Sequence, residues 1–473
     1  MWAESEVRLC PHIIVWYEVY IFMENTGSEL VVKKDTNNKP AKKTREYDIG
    51  CVPGHFWYTV VGANMICPVV SLLANIKVKP DQDYLKEEGP IVVLGNHPSY
   101  LDPIIMERLT HGRPLNFVTG EFLFRSKAWN HIFKSGGAIP KKQFVVDTLA
   151  VKSMMKVLKR NGVIGVFPEG TRFIDGKSIG FDDGIAKLIK KVNASIYVMR
   201  THGAYLTFPR WSKSGGRRGK ITAEFEYKLK SSEVEKMSVE EVHQFILKAL
   251  DYNENDYARE NNPSHKSREL ASGLQNVAYA CPRCKSEFTM TYNKKAGGDI
   301  ITCSSCGNKA KMLPSGLITK ASDDDVVFDD LHKWTNWERD LTDEQISKED
   351  FLFELDAELY KVFDPIDFAH TGNGKIYITG SQIIYKGTDC PSSEGIPYHK
   401  GKVRKGYKER VLKEDSDPVE HCFEIKTMKG IVAKLGKCFE IYDSKGELFR
   451  FHVEGNKVYK VLQIVSLHGK KQN

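Results

Sequence analysis

Short apolar runs alternate with amphipathic stretches through residues 77–230. The runs have the length of single strands, and they lie at 91–94, 116–119, 163–167, 195–199 and 221–227. Apolar residues at helical spacing predict helices at 103–110, 144–160 and 183–192. Because strands and helices alternate, we predict a layered α/β domain whose mixed or largely parallel sheet is flanked by helices.

The pattern changes after a polar linker that contains Asn261-Asn262-Pro263. Residues 343–362 have helical periodicity through Ile346, Phe351, Leu355 and Leu359. Strand spacing then predicts strands at 375–379, 382–385, 422–427, 437–443 and 447–453. With a final helix at 457–467, this small α+β region loosely resembles a pleckstrin-homology-like module.

Composition limits the class of protein only broadly. A chain of 473 residues favours two to four domains, and 41% hydrophobic with 27% charged residues is typical of globular proteins. The net charge of +8 suits a membrane surface, an acidic substrate or nucleic acid. Ten cysteines in so long a chain do not form a disulfide scaffold, and metal-type spacing of four of them favours a reducing compartment.

The N-terminal region combines a basic segment with an uncharged one. Residues 33–45 hold five lysines and one arginine, which predicts a flexible basic arm or a plain solvated tail. Residues 56–76 carry no formal charge but contain glycine, asparagine and proline, which favours an interfacial or re-entrant helix pair over a straight span. Trp57 and Tyr58 would then lie at headgroup level, and the basic arm would favour an anionic cytoplasmic leaflet. A buried core helix is the alternative.

Residues 1–22 fit neither a membrane span nor a secretory signal. Their apolar run is short, is interrupted by Glu18, and is followed by no small-residue cleavage site. One hypothesis is that the native chain starts at Met23.

The first chemical motif follows the strand predicted at 91–94. Asp102 is a favoured N-cap and precedes a proline, so a helix is expected to begin there. His97 then lies on a tight strand-to-helix connection, within reach of Asp102. A histidine held by a carboxylate has a fixed tautomer and can take a proton from a hydroxyl near neutral pH. We therefore predict His97 as a general base that Asp102 orients.

The second motif, Phe167-Pro168-Glu169-Gly170-Thr171-Arg172, follows the strand predicted at 163–167. The planar guanidinium of Arg172 suits phosphate, and the turn at Gly170 and Thr171 offers backbone N–H groups to an anion. Glu169 is expected to pair with Arg172 or to hold an acceptor hydroxyl. The alternative is a strand-end turn with a surface ion pair.

Together the two motifs resemble the signatures of the glycerolipid acyltransferases, the family that includes lysophosphatidic acid acyltransferases. Asn-His, four residues and Asp form the first signature, and Phe-Pro-Glu-Gly-Thr-Arg forms the third, here in the family's order over roughly residues 55–230. The resemblance implies a glycerolphosphate acyltransferase-like fold. It also implies that Glu169, Gly170 and Arg172 bind the acceptor's glycerol phosphate.

Lys141 and Lys142 stand where the family has a second motif, usually with an arginine. A lysine neutralises phosphate as a point charge but lacks the bidentate geometry of arginine, so the match is partial. These two residues are predicted either to contact a phosphate or to belong to a solvated basic face.

Four cysteines have the spacing of a zinc ribbon: Cys281 and Cys284, then eighteen residues, then Cys303 and Cys306. Four thiolates make a closed tetrahedral site, so a structural Zn²⁺ is predicted. Zinc ribbons can bind nucleic acid, but the interleaved basic and aromatic residues of such binders are missing, so no nucleic-acid partner is expected.

The predicted organisation is therefore a basic arm at 1–54, a membrane-contacting segment at 55–80, an acyltransferase domain at 81–260, a zinc ribbon at 277–315 and a mostly-β domain at 331–473. The resemblance implies acyl transfer from acyl-CoA or acyl carrier protein to lysophosphatidic acid, at the cytoplasmic face of a membrane whose phospholipids the protein contacts. Glycerol 3-phosphate or another lysophospholipid is an alternative acceptor. A non-catalytic lipid-binding scaffold is the rival from another class.

Overall fold

The fold was analysed in a computed structural model, which describes residues 49–470 apart from 55–61, 63, 111–112, 126, 365–366, 400–401, 404–417 and 429. Residues 1–48 of the predicted basic arm, the Met23 start, Trp57 and Tyr58 lie outside the described residues.

Residues 76–229 build a mixed sheet of seven strands in the described part of the chain. The strands are β1 (Ile76–Val78), β2 (Ile91–Gly95), β3 (Leu115–Gly120), β4 (Ile139–Lys141), β5 (Val163–Val166), β6 (Ser195–His202) and β7 (Ile221–Leu229). Their order is β1-β7-β6-β2-β5-β3-β4, and only the β6–β7 pair is antiparallel. The five strands predicted here and the parallel-rich α/β sheet are confirmed.

Helices and apolar side chains cover both faces of this sheet. The helices are α1 (Cys67–Leu73), α2 (Gln82–Lys86), α3 (Asp102–Leu109), α4 (Lys127–Ser135), α5 (Thr148–Lys159), α6 (Gly184–Val192), α7 (Ala204–Thr207), α8 (Ser231–Val234), α9 (Val239–Leu250) and α10 (Glu254–Asn261). Successive residues of β2 alternate between two cores: Val92 and Leu94 pack on one face, Ile91 and Val93 on the other. This explains why β2 is apolar throughout.

Helix α5 begins four residues later than the helix predicted from residue 144. The side chain of Asp147 accepts a hydrogen bond from the Ala150 N–H at 3.0 Å and so caps the helix at Thr148. Residues 142–147 form a loop instead, and this loop adjoins the site described below.

The middle of the chain forms a small antiparallel sheet and a long helix. Its strands are β8 (Met290–Tyr292), β9 (Ile300–Cys303), β10 (Lys309–Met312) and β11 (Ile318–Lys320), and α11 (Leu331–Ile346) follows. One hydrophobic core joins this middle region to the regions before and after it in the sequence. Trp334 of α11 packs in this core with Trp211 from the earlier region and Tyr459 from the later one.

The C-terminal region is a largely antiparallel β domain closed by a helix. It contains β12 (Phe353–Val362), β13 (Phe368–Ile378), β14 (Gln382–Gly387), β15 (Ile396–His399), β16 (Lys402–Val403), β17 (Val419–Glu424), β18 (Val432–Lys434), β19 (Cys438–Tyr442), β20 (Leu448–His452) and α12 (Val458–Lys470). The apolar face of α12 packs on the sheet through residues that include Val458 and Val461. The likeness to a pleckstrin-homology-like module stays a prediction.

The helix predicted over 343–362 is wrong beyond Ile346. Helix α11 ends at Ile346, and Phe353–Val362 is strand β12, in which Leu355, Ala357 and Leu359 are buried alternately with exposed residues. Apolar residues four apart fit both a helix and a strand, because four is a whole number of strand repeats. Pairing with β13 and β20 selects the strand.

Among the described residues, no helix combines the length and the apolar content that crossing a bilayer requires. Helix α1, within the predicted membrane-contacting segment, has seven residues and leaves Val69 and Leu72 exposed to solvent.

Candidate active site

The two motifs meet because β2 and β5 are neighbouring parallel strands. The carboxyl ends of such strands share one edge of the sheet, where ligands bind in α/β folds. Buried Asn96 fixes the first loop to β6: its side-chain amide donates to the Thr201 carbonyl at 3.3 Å, and its side-chain oxygen accepts from the Thr201 N–H at 3.1 Å. His97 follows directly, so its backbone is held at the sheet edge.

His97 and Asp102 form the predicted pair, with 2.7 Å between His97 Nδ1 and Asp102 Oδ2. The same carboxylate oxygen accepts the Ser99 N–H at 2.8 Å, and Ser99 Oγ accepts the Leu101 N–H. One detail of the prediction is wrong: Leu101 is the N-cap of α3, and Asp102 is its first residue. The carboxylate turns back to the His97 loop instead of capping its helix, because that loop supplies both of its donors.

Burial and charge keep His97 neutral. Burial, with the positive charges of Arg172 and Arg210, lowers the pKa of His97 to about 3. Burial also raises the pKa of Asp102 well above its usual value, although the Ser99 N–H and Arg172 oppose that shift. With Nδ1 directed at Asp102, the other ring nitrogen is the basic one. The ring of Phe167 stacks on the imidazole, with centroids 4.5 Å apart, and limits its rotation.

Glu169 binds backbone groups rather than Arg172. Its Oε1 accepts the His97 N–H at 3.2 Å and its Oε2 accepts the Ile179 N–H at 3.0 Å. Burial raises the pKa of Glu169 to about 8, and the two N–H donors oppose that shift. The carboxyl group therefore ties the His97 loop to the segment at 179, and no Glu169–Arg172 ion pair occurs in the described part of the chain.

Arg172 presents a guanidinium without a carboxylate partner. Its Cζ lies 3.3 Å from the centroid of the Tyr100 ring, and its buried Nη1 has no hydrogen-bond partner among the described residues. Gly170 has φ of +68° and open space where a Cβ would project, so the backbone of the turn is accessible. An anion at this turn would meet both the guanidinium and the exposed backbone.

Lys141 is the last residue of β4, and Lys142 begins the loop that precedes α5. Gln143 Nε2 donates to the Gly170 carbonyl at 2.7 Å and joins the two loops. Lys141 Nζ donates to the Lys142 carbonyl, and Lys142 is exposed. Contact of either lysine with phosphate stays a prediction.

Sequence reasoning did not identify Arg210 as a site residue. Its Nη1 donates to Thr171 Oγ1 at 2.8 Å and reaches the Arg172 carbonyl at 3.5 Å, while its Nη2 donates to the Ala433 carbonyl at 2.7 Å. Arg210 lies in a basic stretch without a motif, so no local signal marks it.

The four predicted cysteines converge at a second site. The four sulfur atoms of Cys281, Cys284, Cys303 and Cys306 all lie within 4.8 Å of one another. Sγ of Cys281 is 3.6 Å from that of Cys306, and Sγ of Cys284 is 3.8 Å from that of Cys303. A tetrahedral zinc with Zn–S bonds of about 2.3 Å separates its sulfur ligands by roughly 3.8 Å, so the arrangement fits that ion.

Comparisons with known proteins give one family match and similarity to several named relatives. Residues 76–201 match the family model described as Acyltransferase. The chain is 27% identical over 153 residues to the chloroplastic 1-acyl-sn-glycerol-3-phosphate acyltransferase LPAT1 of Arabidopsis thaliana, covering 31% of this chain and 41% of the relative. It is 28% identical over 134 residues to the 1-acyl-sn-glycerol-3-phosphate acyltransferase of Borreliella burgdorferi, covering 28% and 53%. The chain thus spans about half or less of these relatives' lengths.

A solved structure is also similar. The crystal structure of the 1-acyl-sn-glycerophosphate (LPA) acyltransferase PlsC from Thermotoga maritima aligns with a TM-score of 0.36 and 17% identity, covering 44% of this chain and 82% of that one. Residues 76–201, which carry both motifs at one sheet edge, match the Acyltransferase family model, and the chain is similar in sequence to 1-acyl-sn-glycerol-3-phosphate acyltransferases.

Proposed function

We propose that the protein transfers a fatty acyl group from an acyl thioester to the free hydroxyl of lysophosphatidic acid, giving phosphatidic acid. The observation that carries this proposal is the His97–Asp102 pair, 2.7 Å apart, beside an Arg172 guanidinium whose buried nitrogen lacks a described partner. The names of the relatives support the same acceptor.

In the proposed step, the basic nitrogen of His97 takes the proton of the acceptor hydroxyl as its oxygen attacks the thioester carbonyl. The C–O bond forms, the C–S bond breaks, and the imidazolium returns the proton to the departing thiolate. Asp102 holds the ring and offsets its transient positive charge, as the carboxylate of a hydrolase triad does. The acceptor's own hydroxyl is the nucleophile, so no enzyme nucleophile is needed.

Arg172 is the residue that would bind the anionic end of the acceptor. A guanidinium in a partly desolvated site needs acceptors for its hydrogen bonds, and an anion supplies them while also offsetting the positive charge. A phosphate ester satisfies that need and matches the planar geometry of the group. Glycerol 3-phosphate and other lysophospholipids carry the same ester and are the alternative acceptors; the donor is acyl-CoA or acyl carrier protein. We further propose that the cysteine site holds a structural Zn²⁺.

The direct test is an acyl-transfer assay of the full chain in liposomes with labelled oleoyl-CoA. Lysophosphatidic acid, glycerol 3-phosphate and other lysophospholipids are compared as acceptors. We expect labelled phosphatidic acid from lysophosphatidic acid. A product from another acceptor would support the acyl-transfer mechanism but assign a different acceptor. No transfer with either acyl-CoA or acyl carrier protein as donor would favour the alternative of a non-catalytic lipid-binding scaffold.

We also propose that α1 contacts the cytoplasmic face of a membrane as a peripheral or shallowly inserted element. Met65, Ile66, Val69 and Leu72 are exposed apolar residues within eleven residues of β1, and Leu72 is 82% exposed. Burying such a cluster in the lipid interface is favourable. The predicted basic arm would add attraction to anionic lipid.

Leu72→Glu is expected to weaken binding to phosphatidylcholine–phosphatidylserine vesicles, because it would bring a charge to the lipid interface. Vesicle sedimentation measures the bound fraction. Val326→Glu is the matched control, since Val326 is 44% exposed but lies next to the small middle sheet. Equal binding by the Leu72 variant and the wild type would exclude α1 as the contact.

A further inference from the structure

The segment that carries Arg172 is fixed by residues that lie beyond the matched region 76–201. On one side, Arg210 donates to the Thr171 hydroxyl and reaches the Arg172 carbonyl. On the other side, Asp175 Oδ2 lies 2.9 Å from His332 Nδ1 and accepts the Thr335 hydroxyl at 2.7 Å, both from α11. The phosphate-binding turn is thus clamped at both ends by parts of the chain outside the acyltransferase match.

The contact of Arg210 continues into the C-terminal β domain. Its Nη2 donates to the carbonyl of Ala433 in β18, 223 residues away in sequence. Nearby, a Cβ on Gly430 would lie 2.7 Å from the ring of Phe144, so the chain before β18 closely approaches the loop that Gln143 joins to Gly170. The C-terminal domain therefore touches two loops of the site.

Arg210 carries a positive charge that no carboxylate neutralises among the residues that the structure describes. In the described part of the chain no carboxylate lies within salt-bridge distance of Arg210 or Arg172, and the acceptors of Arg210 are a hydroxyl and carbonyls. Burial, and to a lesser extent Arg172, lowers the pKa of Arg210 to about 10. A hydrophobic residue would fill this place with less desolvation, so the guanidinium is retained for its hydrogen bonds or its charge.

We propose that Arg210 is a positioning residue through which the C-terminal β domain fixes the Thr171–Arg172 backbone and so aims Arg172 at the phosphate of the acceptor. This rests on the proposed function. The described hydrogen bonds of Arg210 go to protein acceptors, namely the Thr171 hydroxyl and two backbone carbonyls. Arg210 therefore acts through Arg172 rather than as a phosphate ligand of its own. The C-terminal domain is then a working part of the acceptor site.

The test compares Arg210→Met and Arg210→Lys in the full-length chain. Met removes charge and hydrogen bonds, while Lys keeps the charge but loses the forked geometry. Two readouts are used: calorimetric binding of glycerol 3-phosphate as a probe, and KM for lysophosphatidic acid and for acyl-CoA. Arg217→Met is the matched control, since buried Arg217 donates to the Leu270 carbonyl at 2.7 Å and stacks on Trp211.

Arg210→Met is expected to weaken probe binding and raise KM for lysophosphatidic acid by about tenfold or more, the change that loss of charged hydrogen bonds allows. KM for acyl-CoA should stay near the wild-type value, and Arg210→Lys should recover only part of the loss. Arg217→Met should leave both acceptor readouts unchanged, even if it lowers the melting temperature.

Coupling to the turn provides a second check. Thr171→Val removes the hydroxyl that accepts from Arg210 and keeps the side-chain size. If Arg210 acts through this turn, the effects of Thr171→Val and Arg210→Met on probe binding are less than additive. Full additivity would contradict that route.

The outcomes separate the inference from the proposed function. If probe binding depends on Arg210 but no acyl transfer occurs, the proposed function is contradicted and the inference about Arg210 is supported. Acyl transfer with an unchanged acceptor KM in Arg210→Met, or an equal loss in Arg217→Met, would overturn the inference and keep the function. A wild type that neither binds the probe nor transfers acyl groups would overturn both.

Discussion

The His97→Ala variant is expected to lose between about a hundredfold and ten-thousandfold in kcat, the range that a positioned general base contributes. Its partner Asp102 would remain in place, held by the Ser99 N–H at 2.8 Å. The folded structure should persist, because the His97 loop is anchored by Asn96 and by the backbone contact with Glu169. The acyl-transfer assay with saturating substrates measures the loss.

His202→Gln is the matched control for this variant. His202 is the last residue of β6 in the same sheet, but its Nδ1 lies 2.8 Å from the Tyr252 hydroxyl and its ring stacks on Tyr257. Its replacement should leave kcat nearly unchanged. Unaltered turnover in His97→Ala would exclude His97 as the base.

The wild-type pH profile provides an independent check on the same base. Because burial and two guanidinium groups lower the pKa of His97 to about 3, the free enzyme keeps its base neutral well below pH 6.5. The acid limb of kcat/KM should therefore fall far below the value of an ordinary histidine. A bound phosphate would offset the charges of Arg172 and Arg210, so the acid limb of kcat should lie at higher pH than that of kcat/KM.

Cys281→Ser is expected to remove the bound zinc and to lower the melting temperature strongly. Binding of structural zinc contributes about 10–16 kcal/mol in small zinc domains, and the alcohol of serine is a poor replacement for a thiolate ligand. Cys281 and Cys303 are buried in the same core as Trp334, Trp211 and Tyr459, so the loss should reach beyond the ribbon. Elemental analysis and calorimetry measure the two effects.

The control for this variant is Cys438→Ser. Cys438 is also buried, but it lies in β19 and outside the four-cysteine cluster. Zinc content should stay at one ion per chain in this variant. Full zinc content together with an unchanged melting temperature in Cys281→Ser would contradict the metal site.

The core around the cysteines contains residues from several segments of the chain, so these segments are not independent modules. The sequence divides into segments with different periodicity, yet Trp211, Trp334 and Tyr459 pack together from three of them. Arg210 and Asp175 add hydrogen bonds between the region of the two motifs and later elements. These contacts offer a route by which changes in the C-terminal domain can reach the proposed acceptor site without any contact with substrate.

Local features were readable from the sequence because their chemistry is set by short spacing. His97 and Asp102 are five residues apart, so one tight loop brings them together whatever surrounds it. The strands β2 and β5 are apolar throughout because both faces of a parallel sheet are covered, and the cysteine pairs need only one turn each. The mixed sheet and the principal motif positions followed from such local signals.

Only the tertiary structure decided what depends on distant partners. Residues 353–362 are a strand because β13 and β20 pair with them, although their apolar spacing suits a helix equally well. Arg210 reaches the site through a carbonyl 223 residues away, and no periodicity or motif records a contact of that range.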